Sequence, residues 1–155
     1  MKILVTGGSG FIGTNFIIKQ ISKEKNQILN IDKLTYAGNK NNHDSLKNNT
    51  LYNFLYGDIC DKNTINKVFS DFSPDAIVHF AAESHVDRSI KSPNDFILTN
   101  IVGTATLLEA AMIYWDKSKK TGFKFLHVST DEVYGSLDNL GFFTEETPYD
   151  PTSPY

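Results

Sequence analysis

The segment Gly7-Gly8-Ser9-Gly10-Phe11-Ile12-Gly13 constrains this chain more than any other. It separates a short β-branched run, Lys2 to Thr6, from an apolar helical pattern over 11–23 built on Ile12, Phe16, Ile17, Ile18 and Ile21. In a strand–turn–helix unit the three glycines have distinct tasks. Gly7 permits the tight turn, Gly10 lets a pyrophosphate approach the backbone, and Gly13 lets the helix pack closely on the sheet. The helix start then presents free N–H groups and partial positive charge to an anion. A plain structural turn is the bland reading, but strand, motif and helix stand in the order a dinucleotide cradle needs. Such a cradle needs no basic side chains, which suits a chain whose one arginine is Arg88.

Strand and helix patterns alternate beyond the turn. Residues 27–31, 51–56, 75–80 and 123–128 read as strands. Residues 61–72 read as an amphipathic helix capped by Asp61, with Ile65, Val68, Phe69 and Phe72 on one face. A long helix is expected from Pro93, capped by Ser92, to about Trp115. This rhythm predicts an α/β fold, a doubly wound parallel sheet with helices on both faces. The runs Ile3–Val5, Ala76–Val78 and Phe125–Leu126 lack polar alternation, as strands buried on both faces should. Residues 33–50 read as loop or short helix, 117–122 as a turn, and 129–155 shows no periodicity. At 155 residues the chain is one domain in size, with an expected folded area of roughly 7,900 Å².

Composition removes several classes of partner. A net charge of −3 leaves no basic footprint for nucleic acid. The lone Cys60 excludes an internal disulfide and a Cys-rich metal site, and no metal is expected. The uncharged stretch Phe96 to Leu108 falls short of the roughly 20 residues of a membrane span, so no membrane association is expected and the protein reads as soluble and cytoplasmic. His79 and His127 read as core residues. His85 fits either a substrate contact or loop packing, and Arg88 either a phosphate or an ion pair. Leu107, Leu108, Met112 and Trp115 form a stripe suited to a core or to a helix-bundle dimer face.

Four acidic residues carry candidate chemistry. Asp32 ends the second strand, 19 residues after Gly13, where a carboxylate accepts hydrogen bonds from an adenosine ribose. Its charge opposes a 2′-phosphate and favours NAD over NADP, although Lys33 stands beside it. Asp58 and Ile59 follow the third strand, where an adenine would lie, with a turn before the next helix as the lesser alternative. Asp131 and Glu132 follow the fifth strand at the edge where open α/β sheets bind ligands. Two adjacent carboxyls there can divide into acid and base, or form a solvated loop pair.

The glycine spacing, with Asp32-Lys33-Leu34-Thr35-Tyr36-Ala37-Gly38-Asn39, Ala81-Ala82-Glu83-Ser84-His85-Val86-Asp87-Arg88-Ser89 and Ser129-Thr130-Asp131-Glu132-Val133-Tyr134-Gly135, resembles the dTDP-glucose 4,6-dehydratases of the extended short-chain dehydrogenase/reductase family. The resemblance covers the whole chain and implies a Rossmann-type NAD-binding domain and a redox-neutral dehydration of dTDP-glucose to dTDP-4-keto-6-deoxyglucose. It implies that Tyr155 takes the C4 hydroxyl proton, Glu132 the C5 proton, and Asp131 protonates the leaving C6 hydroxyl, with Thr130 on the sugar. It implies an NAD site of Gly7, Gly10, Phe11, Ile12, Gly13, Asp32, Lys33, Leu34, Thr35, Asp58, Ile59, Phe80, Ala81, Ala82, Glu83, Ser84, Thr99 and Tyr155, with Ser84 also facing the nucleotide-sugar substrate. It further implies a homodimer formed through helices. The chain matches about the first half of such an enzyme. The expectation is a domain truncated before its substrate-binding partner and before the lysine four residues past Tyr155, and inactive alone. Sugar-nucleotide 4-epimerases and UDP-glucuronate decarboxylases share this cofactor domain, but the acidic pair favours dehydration. A non-catalytic NAD-binding module would not need the pair at all.

Overall fold

The structure, a computed structural model, describes residues 1–137 and 141–155. Five strands, β1 (Lys2–Thr6), β2 (Gln27–Asp32), β3 (Tyr52–Tyr56), β4 (Ala76–His79) and β5 (Lys124–His127), form one parallel sheet in the order β3-β2-β1-β4-β5. The helices are α1 (Phe11–Ile21), α2 (Lys62–Phe72), α3 (Val86–Lys91) and α4 (Pro93–Ser118). Short 3-10 turns cover Lys40–Leu46 and Asp131–Tyr134.

Alternation along β1 divides the core. Leu4 faces a cluster with Ile31, Ile65, Val68, Phe69, Ile77 and Leu107 beneath α2 and α4. Ile3 and Val5 face the other cluster, with Ile17, Ile21, Ile28 and Val78 beneath α1. The central strands are therefore buried on both sides, which the unbroken apolar runs anticipate. Asp61 caps α2 by accepting from the Asn63 and Thr64 N–H groups, and Ser73 ends that helix in the left-handed region at φ 50°.

Several local expectations are corrected. Leu126 is 55% exposed and His127 is exposed, because β5 pairs with β4 alone among the described residues. Ser92 does not cap the backbone of α4; its hydroxyl donates to the Asp95 carboxylate instead. Residues 86–91, of which 86–89 are read from sequence only as part of a motif, form α3. The irregular reading of 129–155 gains the turn Asp131–Tyr134, and Asp138 to Leu140 lie outside the described residues. Of the Leu107, Leu108, Met112 and Trp115 stripe, Leu107 alone is buried.

Helix α4 begins at Pro93 as expected and runs to Ser118, but part of it is not a regular α-helix. Its segment Ile97–Gly103 is π-helical, a wider turn often found beside functional sites. By length and composition Pro93–Ser118 could cross a membrane. It nonetheless packs on the sheet through buried Leu107, Ala110 and Ala111, as a core helix does. Its far side exposes Ile97, Leu98, Ile101, Leu108, Met112 and Trp115. That apolar face and β5 help raise the accessible area to 9782 Å², above the roughly 7,900 Å² scaling value.

Candidate functional site

The strand order reverses between β1 and β4, so the loops after these strands part and leave a crevice at their C-terminal ends. The crevice is a cleft of about 400 Å³. Gly7, Gly10, Phe11, Ile12 and Gly13 line its floor, Asp32, Lys33, Thr35, Ile59 and Thr99 one wall, and Phe80 to Ser84 and Tyr155 the other. Ala37, Gly38, Gly57, Val128 and Ser129, not expected from sequence, also border it.

The three glycines differ physically. Gly7 sits at φ +70° and a side chain there would run into the Ala81 backbone. A Cβ on Gly13 would lie 2.5 Å from the Gly7 carbonyl oxygen. At Gly10 a Cβ would meet nothing nearer than the Gly7 oxygen at 3.5 Å. The fold therefore requires glycine at positions 7 and 13, whereas Gly10 keeps open a space beside the start of α1. That helix carries no side-chain cap and no acid in its first turn. An open, uncapped helix start suits a pyrophosphate, so the residues present fit a dinucleotide.

Buried polar groups hold this turn from below. Asn30, fully buried in β2, accepts from the Gly8 N–H at 3.0 Å and donates to Ser9 Oγ and the Tyr52 hydroxyl. The Asn39 N–H and Asn42 Nδ2 both donate to the Ser9 carbonyl. Sequence reading missed Asn30, although an amide within the apolar run Ile28 to Ile31 signals a buried polar task.

The Asp32 carboxylate accepts from the Ser9 N–H at 2.9 Å and the Leu34 N–H at 2.8 Å. It fixes the loop after β2 against the glycine turn and retains lone pairs for ribose hydroxyls. Leu34 itself is not among the lining residues and sits at φ 52°, a strained conformation for a branched side chain. Lys33 turns to Asp58, Nζ 3.5 Å from Oδ2, and donates to Thr99 Oγ1 at 3.1 Å. Burial pushes the Asp58 carboxyl up, but the Cys60 N–H and Lys33 outweigh it and hold it below its ordinary value.

The π-helical turn of α4 aims three successive contacts at this region. Thr99 meets Lys33. Asn100 accepts from the Glu83 N–H and donates to the Glu83 carbonyl, fixing the loop after β4. Gly103 lies so close to Ile59 that a Cβ there would be 2.6 Å from Ile59 Cδ1. The sequence offered no sign of the Asn100 clamp.

Tyr155 reaches the cleft with its ring 6.0 Å from that of Phe96. Thr130, Asp131 and Glu132 follow β5 but are not among the cleft-lining residues. Thr130 Oγ1 instead accepts from the Glu132 N–H at 3.2 Å and starts the 3-10 turn. Among the described residues no group of three or more His, Cys, Asp or Glu is arranged to hold a metal ion.

Comparison with known proteins follows the same lines. Residues 4–155 match the family model described as GDP-mannose 4,6 dehydratase. The chain is 55% identical to the dTDP-glucose 4,6-dehydratase of Haemophilus influenzae, over all of this chain and 47% of that protein. It resembles the crystal structure of the Bacillus anthracis dTDP-glucose 4,6-dehydratase in complex with NAD, at 45% identity and TM-score 0.84, over 100% of this chain and 46% of that one. It also resembles the Streptomyces venezuelae dTDP-glucose 4,6-dehydratase DesIV with NAD and TYD bound, at 43% identity and TM-score 0.90, over 100% of this chain and 47% of that one. The chain spans about half the length of the curated relatives it matches.

Proposed function

The chain belongs to the GDP-mannose 4,6-dehydratase family, and from that premise we propose that it carries the NAD-binding region of an enzyme that dehydrates dTDP-glucose to dTDP-4-keto-6-deoxyglucose. The observation that carries this reading is one cleft at the strand-order reversal, bordered by Gly10 at its open side and by Tyr155 at the other. NAD bound there would supply the redox chemistry, accepting the C4 hydride and returning it to C6 once water has left.

The chain's own residues then divide the work. Gly7, Gly10, Gly13 and the start of α1, with Phe11 and Ile12, hold the pyrophosphate. Asp32 takes the ribose hydroxyls, with Lys33, Leu34, Thr35, Asp58, Ile59 and Thr99 around the adenosine. Phe80, Ala81, Ala82, Glu83 and Ser84 border the opposite end. Tyr155 removes the proton of the sugar C4 hydroxyl. A ketone at C4 makes the C5 proton acidic, so Glu132 can remove it while Asp131 protonates the departing C6 hydroxyl. Ser84 and Thr130 hydrogen-bond the sugar. We also propose a cytoplasmic homodimer joined through the exposed face of α4, whose Ile101 and Met112 are more than 60% exposed.

The test is product analysis on the full-length protein supplied with NAD and dTDP-glucose. Formation of the 4-keto-6-deoxy product is expected, with Glu132→Gln abolishing it while NAD affinity stays at the wild-type value. Inversion at C4 without loss of water would mark a 4-epimerase instead. NAD binding with no sugar turnover would mark a non-catalytic module.

A further inference from the structure

Arg88, the chain's one arginine, lays its guanidinium over the ring of Tyr36, with Cζ 3.7 Å from the ring centroid. The partners belong to chain segments on opposite sides of the cleft, although neither side chain is itself among the cleft-lining residues. Tyr36 lies in the loop after β2, between Thr35 and Ala37, which both border the cleft. Arg88 lies on α3, just after Glu83 and Ser84, which border the other wall. The stack therefore joins the loop after β2 to helix α3, across the point where the strand order reverses.

Each wall is anchored behind this contact. Asp32 ties the first loop to the Ser9 N–H, and Asn39 and Asn42 tie it to the Ser9 carbonyl. Asn100 ties the second loop to α4 through both backbone groups of Glu83. The Tyr36–Arg88 contact is wetter than these ties: Tyr36 is 51% exposed and Arg88 is exposed. A contact at the surface can open while the buried anchors stay in place. Burial and the nearby Glu83 carboxylate raise the Tyr36 pKa while Arg88 opposes them, so the ring keeps its hydroxyl proton and stays neutral beneath the cation.

We propose that Tyr36 and Arg88 form a clasp across the cleft that slows release of the bound dinucleotide. The proposal rests on the reading of the cleft as an NAD site. The clasp acts on retention: Arg88 works through the Tyr36 ring and not as a direct phosphate ligand. A stacked guanidinium at an exposed site corresponds to about a two- to fivefold effect on a rate.

The experiment measures release of labelled NAD from the full-length protein into excess unlabelled NAD. Wild type is compared with Tyr36→Leu, Tyr36→Phe, Arg88→Met and the Leu/Met double variant, and each protein is also melted without NAD. Release about two- to fivefold faster in Tyr36→Leu and in Arg88→Met is expected. The double variant should release no faster than either single variant, because both remove one contact. Tyr36→Phe should release as wild type, and melting should be unchanged. Wild-type release rates in Tyr36→Leu or Arg88→Met overturn the clasp, as do additive effects in the double variant. A slower, salt-sensitive association in Arg88→Met alone also overturns it, by making Arg88 an attractor of phosphate. A Tyr36→Phe effect as large as that of Tyr36→Leu overturns it in favour of the hydroxyl. If wild type holds no NAD, the reading of the cleft falls, and the clasp with it.

Discussion

The Gly8 N–H donates to Asn30 Oδ1 at 3.0 Å, so the glycine turn hangs from an amide buried in the middle of the neighbouring strand. The same amide reaches Ser9 Oγ and the Tyr52 hydroxyl, each at 3.3 Å. Replacing it with an apolar side chain leaves three partners unpaired, two of them, the Gly8 N–H and Ser9 Oγ, on buried residues. Asn30→Leu is expected to cost roughly 2–3 kcal/mol of stability and to weaken NAD binding about tenfold. Urea unfolding and NAD titration check the two effects separately. A stability loss with unchanged affinity would show that the turn keeps its shape without the tie.

The βαβ order, and the places of Asp32 and the glycine turn, were legible because they depend on local patterns. Period-2 and period-3.6 hydrophobicity, helix caps and glycine spacing all operate over a few residues. What escaped the sequence depends on partners far apart in the chain. Lys33 could be read as a lure for a 2′-phosphate because Asp58 and Thr99, which occupy it, lie 25 and 66 residues away. The Asn100 clamp depends on a π-helical turn that only tertiary packing selects. Leu126 looked buried because its run is apolar, yet burial depends on what covers the strand.

Cofactor choice follows from those two pairings. Asp32 presents negative charge to the ribose side of the cleft, and Lys33 is engaged elsewhere. NAD should bind the full-length protein more tightly than NADP by about tenfold or more. Competitive titration of the two cofactors decides it, and equal affinity would remove Asp32 from the argument.

At the opposite end of the sheet, Asp75 joins three segments. It accepts from the Lys2 N–H at 2.6 Å and pairs with Lys120 at 2.5 Å, while Lys120 also donates to the Ser73 and Pro74 carbonyls. The Lys120 hydrogen bond, with the Lys2 N–H, holds the Asp75 carboxyl below its ordinary value. About a third of each side chain meets solvent, and screening keeps the contribution small. Asp75→Ala should lower stability by about 1 kcal/mol at neutral pH. The difference should shrink as acid protonates Asp75 in wild type. Denaturation midpoints at pH 7 and pH 3 measure it.

The exposed face of α4 has a direct test. Met112 is 70% exposed beside Leu108 and Trp115. Met112→Glu should convert the proposed dimer of the full-length protein into monomers without changing its helical content. Sedimentation velocity with circular dichroism reads both. A dimer that persists unchanged in the variant would place the interface elsewhere.

Acid should weaken the fold through His79. Its ring is 1% exposed, with Nδ1 2.7 Å from Thr6 Oγ1 and Nε2 3.0 Å from Thr104 Oγ1. Burial, helped by the charge of His127 with its ring 5.0 Å away, pushes the His79 pKa down to about 4. Unfolding restores the ordinary value of about 6.5, so below that pH the unfolded chain takes up a proton that the folded chain refuses. The stability His79 contributes is therefore complete above pH 6.5 and is lost as the pH falls toward 4. Over that window the loss is roughly 3 kcal/mol. His79→Gln keeps a hydrogen-bonding side chain against Thr6 or Thr104 and removes the titration. Its stability at pH 7.5 should be lower than wild type, because a side chain of different shape enters a packed site. Its decline between pH 6.5 and 4 should be shallower by about the 3 kcal/mol above. Carboxylates that titrate in the same range contribute to both proteins and cancel in the difference. Equal slopes for wild type and His79→Gln would mean that the folded chain protonates His79 as readily as the unfolded one.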